Sequence, residues 1–386
     1  MTTINKKWLA LAMAAIPFAA NAQDVVGAPA TTQEINFDAL RGNAYLTGAF
    51  GNMASALTVN DYLAWPHLFG GSKFLYVEPT NESGTAAIPV GGNTGFVNLQ
   101  NSSGGTPGVT TVGLASTGKF GASFSFGFDK TYTTTNPATA GLATTTVTTI
   151  GRGDLLGLNF SMPLGGNALS ASASWLTPEA ETNSDATGAV KQSFYQIVAS
   201  VNFSNFPSSQ GLVYNAGLTF DRLHIGSTLD SNRWQIRGVF NLGKKVLSNG
   251  SARVFLGADQ TVAFTSRDDN NTRNSAMGLG LYSAPNLVGE YAFNSNWFVF
   301  GGARHVVTLL GYESRTNEAA NVNLSDESTR IHNTSATTAN VGVRYQRSGF
   351  AAEAALSDAL FTDGASTLFS TNGAGLLASF GAFLYF

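Results

Sequence analysis

Ionisable side chains are scarce in this chain, so the few that recur inside its patterned segments stand out. Arg237, Arg253, Asp259, Glu290, Arg304, Arg344 and Glu353 all fall on the polar side of segments that alternate apolar and polar residues. If those segments are neighbouring strands about 4.8 Å apart, opposite charges at one depth can pair. Two chemistries follow. One is a charged ring that sorts ions and solutes. The other is an ion-paired girdle that satisfies buried charges and stiffens a wall. Four arginines against three carboxylates nearly cancel, which suits the girdle.

Other candidate groups give less. The histidines are His67, His224, His305 and His332. Asp221, His224 and Ser227 lie close in sequence, but nucleophilic catalysis needs nucleophile, base and orienting group within hydrogen-bond reach, and this spacing matches no such motif. Asp268-Asp269-Asn270-Asn271 carries oxygen ligands without the Gly and terminal Glu of an EF-hand loop. Gly278-Leu279-Gly280 has no third Gly and no following helix, so it is not a nucleotide loop. Cysteine is absent, which removes disulfides and thiolate metal sites. We therefore expect no enzyme activity, no metal and no cofactor. A net charge of −3 gives no basic footprint for nucleic acid.

The elements that would carry these residues read as strands. Phe120, Ala122, Phe124, Phe126 and Phe128 alternate with Gly121, Ser123, Ser125 and Gly127. Leu156, Leu158, Phe160 and Met162 alternate with Gly157, Asn159 and Ser161, and Val341, Val343 and Tyr345 with Gly342 and Arg344. Period two puts an apolar face and a small or polar face on each strand. The runs are about 9–15 residues long, beyond the 5–6 of globular strands and enough to cross a bilayer. Trp175, Tyr195, Trp234, Tyr291, Trp297 and Tyr345 flank the apolar faces as an interfacial girdle would. His305 falls on the lipid-facing register. We expect an all-β fold: an antiparallel up-and-down transmembrane barrel of about fourteen strands over residues 73–386. Short and long connections alternate, and the 80–107 stretch reads as a long loop.

Only 12% of residues are charged, while 43 are Gly and 27 are Phe. A lipid-facing surface accounts for the low charge. Early inward positions are small (Gly121, Ser123, Ser125, Gly157, Ser161, Ser170, Ser172, Ser174), and the charged set follows on later strands. Residues 23–72 are apolar without strand alternation, with Tyr45, Phe50, Met53, Tyr62 and Trp65 among them. They must bury that surface, and the small-residue wall of the barrel offers room, so we expect a segment that plugs or caps the lumen. Residues 1–22 are expected to be a signal peptide: Lys6 and Lys7, an apolar Trp8 to Ala20, then Ala20-Asn21-Ala22. Export by that route predicts the outer membrane of a Gram-negative cell.

The final run puts Phe380, Ala382, Leu384 and Phe386 on one face. A last amphipathic strand ending in Phe resembles the C-terminal assembly signal of bacterial outer-membrane β-barrel proteins. With its strand number and N-terminal segment, the chain resembles FadL-type and PorV-like barrels over residues 73–386. Those families carry an N-terminal hatch, often with an Asn-Pro-Ala motif. Here the stretch reads Val59-Asn60-Asp61-Tyr62-Leu63-Ala64-Trp65-Pro66-His67, without that motif. The resemblance implies outer-membrane lipid and the barrel-assembly machinery as partners. It implies uptake of a small solute, hydrophobic if FadL-like, or a non-transport scaffold role if PorV-like.

Overall fold

The computed structural model describes residues 39–42, 57–80, 82–101, 108–135, 147–184, 188–205, 212–226, 231–269, 274–317, 322–356 and 377–386. The expected signal peptide, and Tyr45, Phe50 and Met53 of the expected plug, lie outside them.

Thr58 starts the only helix among these residues. Its side chain accepts from the Asp61 N–H while Asp61 reaches back to the Thr58 N–H, a reciprocal cap on α1 (Val59–Ala64). Pro66 then opens a 3-10 turn, Pro66–Phe69, where its missing N–H costs nothing.

Sixteen strands follow: β1 (Phe74–Glu78), β2 (Ser83–Val90), β3 (Asn93–Gln100), β4 (Val109–Ser116), β5 (Phe120–Thr135), β6 (Val147–Leu164), β7 (Asn167–Ser184), β8 (Gly188–Ser204), β9 (Leu212–Gly226), β10 (Ser231–Ser248), β11 (Ala252–Asp269), β12 (Asn274–Ala292), β13 (Trp297–Asn317), β14 (Val322–Arg347), β15 (Phe350–Leu356) and β16 (Leu377–Tyr385). Each pairs antiparallel with its neighbours in sequence, and β1 pairs β16 to close the barrel.

The barrel class is as expected, but the strand count is sixteen rather than fourteen. The added pair is β2–β3, inside the stretch read as a long loop. Its outward residues are Gly84, Ala86, Ile88 and Val90 on β2 and Gly95, Val97 and Leu99 on β3, while Ala87, Pro89 and Phe96 face inward, so apolar residues fall on both faces and the alternation is blurred. The hairpin turn Gly91–Gly92 takes left-handed conformations at both positions (φ 53° and 84°), the two-residue geometry that matches strand twist. Gly165–Gly166 (φ 52° and 88°) joins β6 to β7 the same way.

Turns at 91–92, 117–119, 165–166, 249–251, 293–296 and 348–349 all lie at one end, where β1 begins and β16 finishes. We call this the short-turn end. The wall is uneven. β5 to β14 run 15–26 residues, whereas β15, β16 and β1 to β4 run 5–9. β4 pairs β5 only as far as Thr110 with Phe126, and β15 pairs β14 only as far as Ala355 with Gly342. Among the described residues, ten tall strands therefore rise past a low six-strand side.

The two faces differ in the way membrane insertion demands. Outward side chains include Leu158 (64% exposed), Leu218 (58%) and Leu256 (54%). Trp175, Tyr195, Trp234 and Tyr312 ring this apolar band toward the loop end, and Tyr214, Tyr291, Trp297 and Tyr345 toward the short-turn end. Such a band would drive a water-soluble chain to aggregate. It fits lipid, which only helices or closed barrels can cross with every backbone group paired. The outward face of β16 presents Phe380 and Leu384, with Phe386 following, while Phe383 and Tyr385 turn inward and are buried.

Candidate functional site

The inward faces at the short-turn end are in contact with the segment that precedes β1. α1 and the 3-10 turn lie across them, fixed by side chains that alternation points into the lumen. The His67 N–H donates to Ser161 Oγ (2.9 Å), and the ring Nδ1 lies 2.8 Å from the same oxygen. Asn159 Nδ2 donates to the carbonyls of Leu63 (2.9 Å) and Ala64 (3.1 Å), and Ser170 Oγ donates to Ala64 (2.9 Å). The Gly71 N–H donates to Thr94 Oγ1 at 2.9 Å. Small residues make the approach possible: a Cβ on Gly121 would stand 2.2 Å from the backbone of Pro66 and His67. Tyr62 and Trp65 are 4% exposed. Trp65 packs on Ala168 and Val213, while Tyr62 and Phe69 join Phe74, Phe96, Phe383 and Tyr385 in one cluster. The Phe69 and Phe96 rings stack at 3.9 Å.

The charged residues gather on the other side of the same end. Arg253 pairs with Glu290, and Arg344 with Glu353. Between them comes a side chain that sequence reasoning missed. Arg41 is fully buried, with Nη2 2.8 Å from Glu290 Oε1 and Nη1 3.8 Å from Glu353 Oε1. The neighbouring backbone joins in: the Gly42 N–H donates to Glu353 Oε2 (2.7 Å), and Arg344 Nη1 donates to the Leu40 carbonyl (2.9 Å). A strand-like exchange, Arg41 N–H to Leu57 and Val59 N–H to Arg41, ties this stretch to α1. Arg41 and Glu290 are separated by 249 positions, so no local spacing announces the contact. A lone Arg in an apolar, pattern-free segment was the available signal. Glu78 was missed likewise. It is buried on β1, accepting from Ser379 Oγ (2.6 Å) and the Tyr76 hydroxyl (3.0 Å).

Farther from the short turns, Arg304 lies 3.3 Å from Asp259. Arg237 is exposed on the inward face of β10. Six of the seven charges singled out in the sequence thus stand in ion pairs, the arrangement of a girdle. Asp221 and His224 differ by an odd number of residues and so point to opposite faces of β9. Asp221 turns inward, where it accepts from Gln196 (2.9 Å), while His224 turns outward, its ring 4.9 Å from Tyr195. Ser227 lies outside the described residues. Asp268 is exposed on β11, and among the described residues no three His, Asp or Glu side chains gather as a metal site would require. His305 is on the outward register, with Nδ1 2.6 Å from Thr337 Oγ1.

Burial gives the docked segment a pH dependence. The His67 imidazole is pulled down to about 4 by desolvation. A free ring, ordinarily near 6.5, takes up a proton that the docked ring refuses. Docking is therefore complete above pH 6.5 and weakens as pH falls through 6.5 toward 4. Burial raises the Asp61 carboxyl instead, which acts in the opposite sense. Comparing wild type with His67→Asn isolates the histidine, since Asp61 is common to both. We expect bilayer conductance to rise between pH 7.5 and 5 in the wild type and to change less in His67→Asn.

The closed sheet, apolar belt, aromatic rings and polar interior define a transmembrane β-barrel of the outer-membrane type. No family model matches the chain, and no curated protein matches it either. Several solved barrels share the fold loosely. The ferric yersiniabactin uptake receptor FyuA of Yersinia pestis is 10% identical over 73% of this chain and 45% of its own, with a TM-score of 0.36. The ferric citrate transporter FecA is 10% identical over 73% and 57%, with a TM-score of 0.39. The outer membrane protein OmpT of Vibrio cholerae is 11% identical over 81% and 96%, with a TM-score of 0.34. The chain thus spans about half the length of the first two.

Proposed function

We propose that the protein is an outer-membrane channel for small hydrophilic solutes, held closed at its periplasmic end by its own N-terminal segment. The observation that carries this reading is the docked stretch 57–72 with Arg41, hydrogen-bonded to inward side chains around much of the barrel. Barrels of sixteen strands are wide enough to leave an aqueous channel unless something fills them. Above the docked segment the described interior carries hydroxyl, amide and charged side chains, with Thr111 bonded to Ser125 and Ser172 to Ser200, both at 2.8 Å. That lining favours a polar solute over the hydrophobic cargo of a FadL-like route. Residues 1–22 would direct export, the short turns would face the periplasm, and the last strand would be read by the barrel-assembly machinery. The natural surroundings would be outer-membrane lipid. A closed, non-transporting scaffold barrel is the competing reading, favoured by the same seal.

Planar-bilayer recording decides between them. Deleting residues 23–72 is expected to turn small or rare conductance steps into large, sustained ones. Unchanged conductance in a deletion variant that still shows heat-modifiable gel mobility would sink the plug. Silence in both proteins would favour the scaffold.

A further inference from the structure

We infer that the loop-end half of the lumen holds a binding site for a small carboxylate solute, formed on β10 to β13; this deepens the channel reading above. Three successive inward rows build it. In the outermost, Arg233 stands directly opposite Arg267 on the neighbouring strand. Below it run Gln235, Thr265, Gly278 and Glu313, and below those Arg237, Ala263, Gly280 and Gly311.

Two like charges placed opposite each other across a strand pair destabilise it. Among the described residues nothing removes the conflict in full. Arg233 Nη2 is 3.9 Å from Asp221 Oδ2, a carboxylate already bonded to Gln196. Among the described residues, Arg237 and Arg267 meet no carboxylate. All three guanidiniums are exposed to the lumen. Among the side chains described on these rows, the acids are Asp221 and Glu313. An anion seated between Arg233 and Arg267 would turn a repulsive pair into two charge-assisted hydrogen bonds.

The wall beside them has a recess of about 240 Å³, lined by Gln235, Thr265, Gly278, Gly280, Tyr282 and Glu313. Glycine creates it. A Cβ on Gly278 would stand 2.6 Å from Thr265 Oγ1, and one on Gly280 would stand 2.6 Å from Tyr282. The Tyr282 ring therefore lies along the wall over Gly280 rather than across the lumen. It offers an aromatic surface to a ligand whose charge points at the arginines. Arginine for the carboxylate, a ring for a planar body and an amide and hydroxyl at the side suit a single-ring aromatic acid.

Benzoate is the probe, used on the full-length protein. Calorimetry in detergent should show benzoate binding to wild type, weakened roughly fivefold in Arg267→Gln, the limit for an exposed ion pair, and more in the Arg233→Gln/Arg267→Gln double variant. In bilayers under a KCl gradient the wild type should favour chloride, and the double variant should lose that preference. Benzoate binding that is absent, or unchanged in the double variant, overturns the site. Conductance with no change in selectivity between the two proteins also counts against it. Binding that is present and arginine-dependent in a protein that never conducts would keep the site while the channel reading falls. Heat-modifiable mobility establishes that the variants are folded.

Discussion

Glu353→Ala should free the N-terminal segment and open the barrel. Glu353 sits in the only carboxylate position that touches Arg344, Arg41 and the Gly42 N–H together among the described residues. All of these groups are buried, and three guanidiniums, Arg41, Arg253 and Arg344, would be left with a single acid, Glu290, which Arg253 already engages. Removing one partner of a buried ion pair costs about 3–5 kcal/mol, because the surviving charge has neither water nor counter-ion. The cheapest relief is for Arg41 to leave, since Arg344 belongs to the wall and Arg41 to the movable segment. The expected result is a several-fold rise in mean bilayer conductance and a lower unfolding temperature. Arg237→Ala, at an exposed inward position, should leave the unfolding temperature nearly unchanged. Equal thermal stability of Glu353→Ala and wild type would refute the ionic fastening.

Gly121→Ala should reach a similar end by a steric route. The added methyl meets the backbone of Pro66 and His67, at 2.2 Å, not the end of a flexible side chain. Neither partner can yield by rotating, so the 3-10 turn must lift from β5. Overpacking of a fitted contact costs roughly 1–3 kcal/mol, and here it also breaks the paired Ser161 contacts of His67. Gly157→Ala is the control, two rungs away on the same inward wall. Its Cβ would stand 3.3 Å from Ser125 Cβ and 3.7 Å from Ser174 Cβ, so a small adjustment suffices. We expect raised conductance and easier protease cleavage of the segment in Gly121→Ala, and wild-type behaviour in Gly157→Ala. The two substitutions giving the same phenotype would place the effect in the strands rather than at the docked turn.

What the sequence discloses depends on how far each signal reaches. Period-two alternation is local, so β5 to β13 were legible from rows such as Phe120 to Phe128. The same rule placed the inward charges, because Arg253, Glu290, Arg344 and Glu353 each inherit a face from their strand. It failed at β2 and β3, which are only eight residues each and carry Ala87, Pro89 and Phe96 on the inward face opposite Ile88, Val90, Val97 and Leu99, so the contrast between faces is blurred. The Gly91–Gly92 turn was the missed cue. Strand ends were also underestimated toward the loops: β13 and β14 continue through Asn317 and from Val322, where water on both sides removes the need for alternation. Arg41 was hidden for a different reason. Its meaning depends on partners more than two hundred positions away, and on two strands of the wall at once.

The seam between β1 and β16 has a consequence for how the protein is put together. Only four residue pairs join these strands, from Phe74 with Tyr385 to Val77 with Ala382, and they bring the two ends of the barrel sequence into register. So short a ladder is a weak fastening for so long a loop closure, whose entropic cost grows with chain length. Inside it, however, the rings of Phe74, Tyr76, Phe383 and Tyr385 pack against one another, and Tyr62, edge-on to Phe74, and Phe69, stacked on Phe74, complete the cluster from the docked segment. The occupant of the lumen is thus part of the clasp. It reinforces the seam from inside, so releasing it should loosen the join between β1 and β16 without unmaking the barrel.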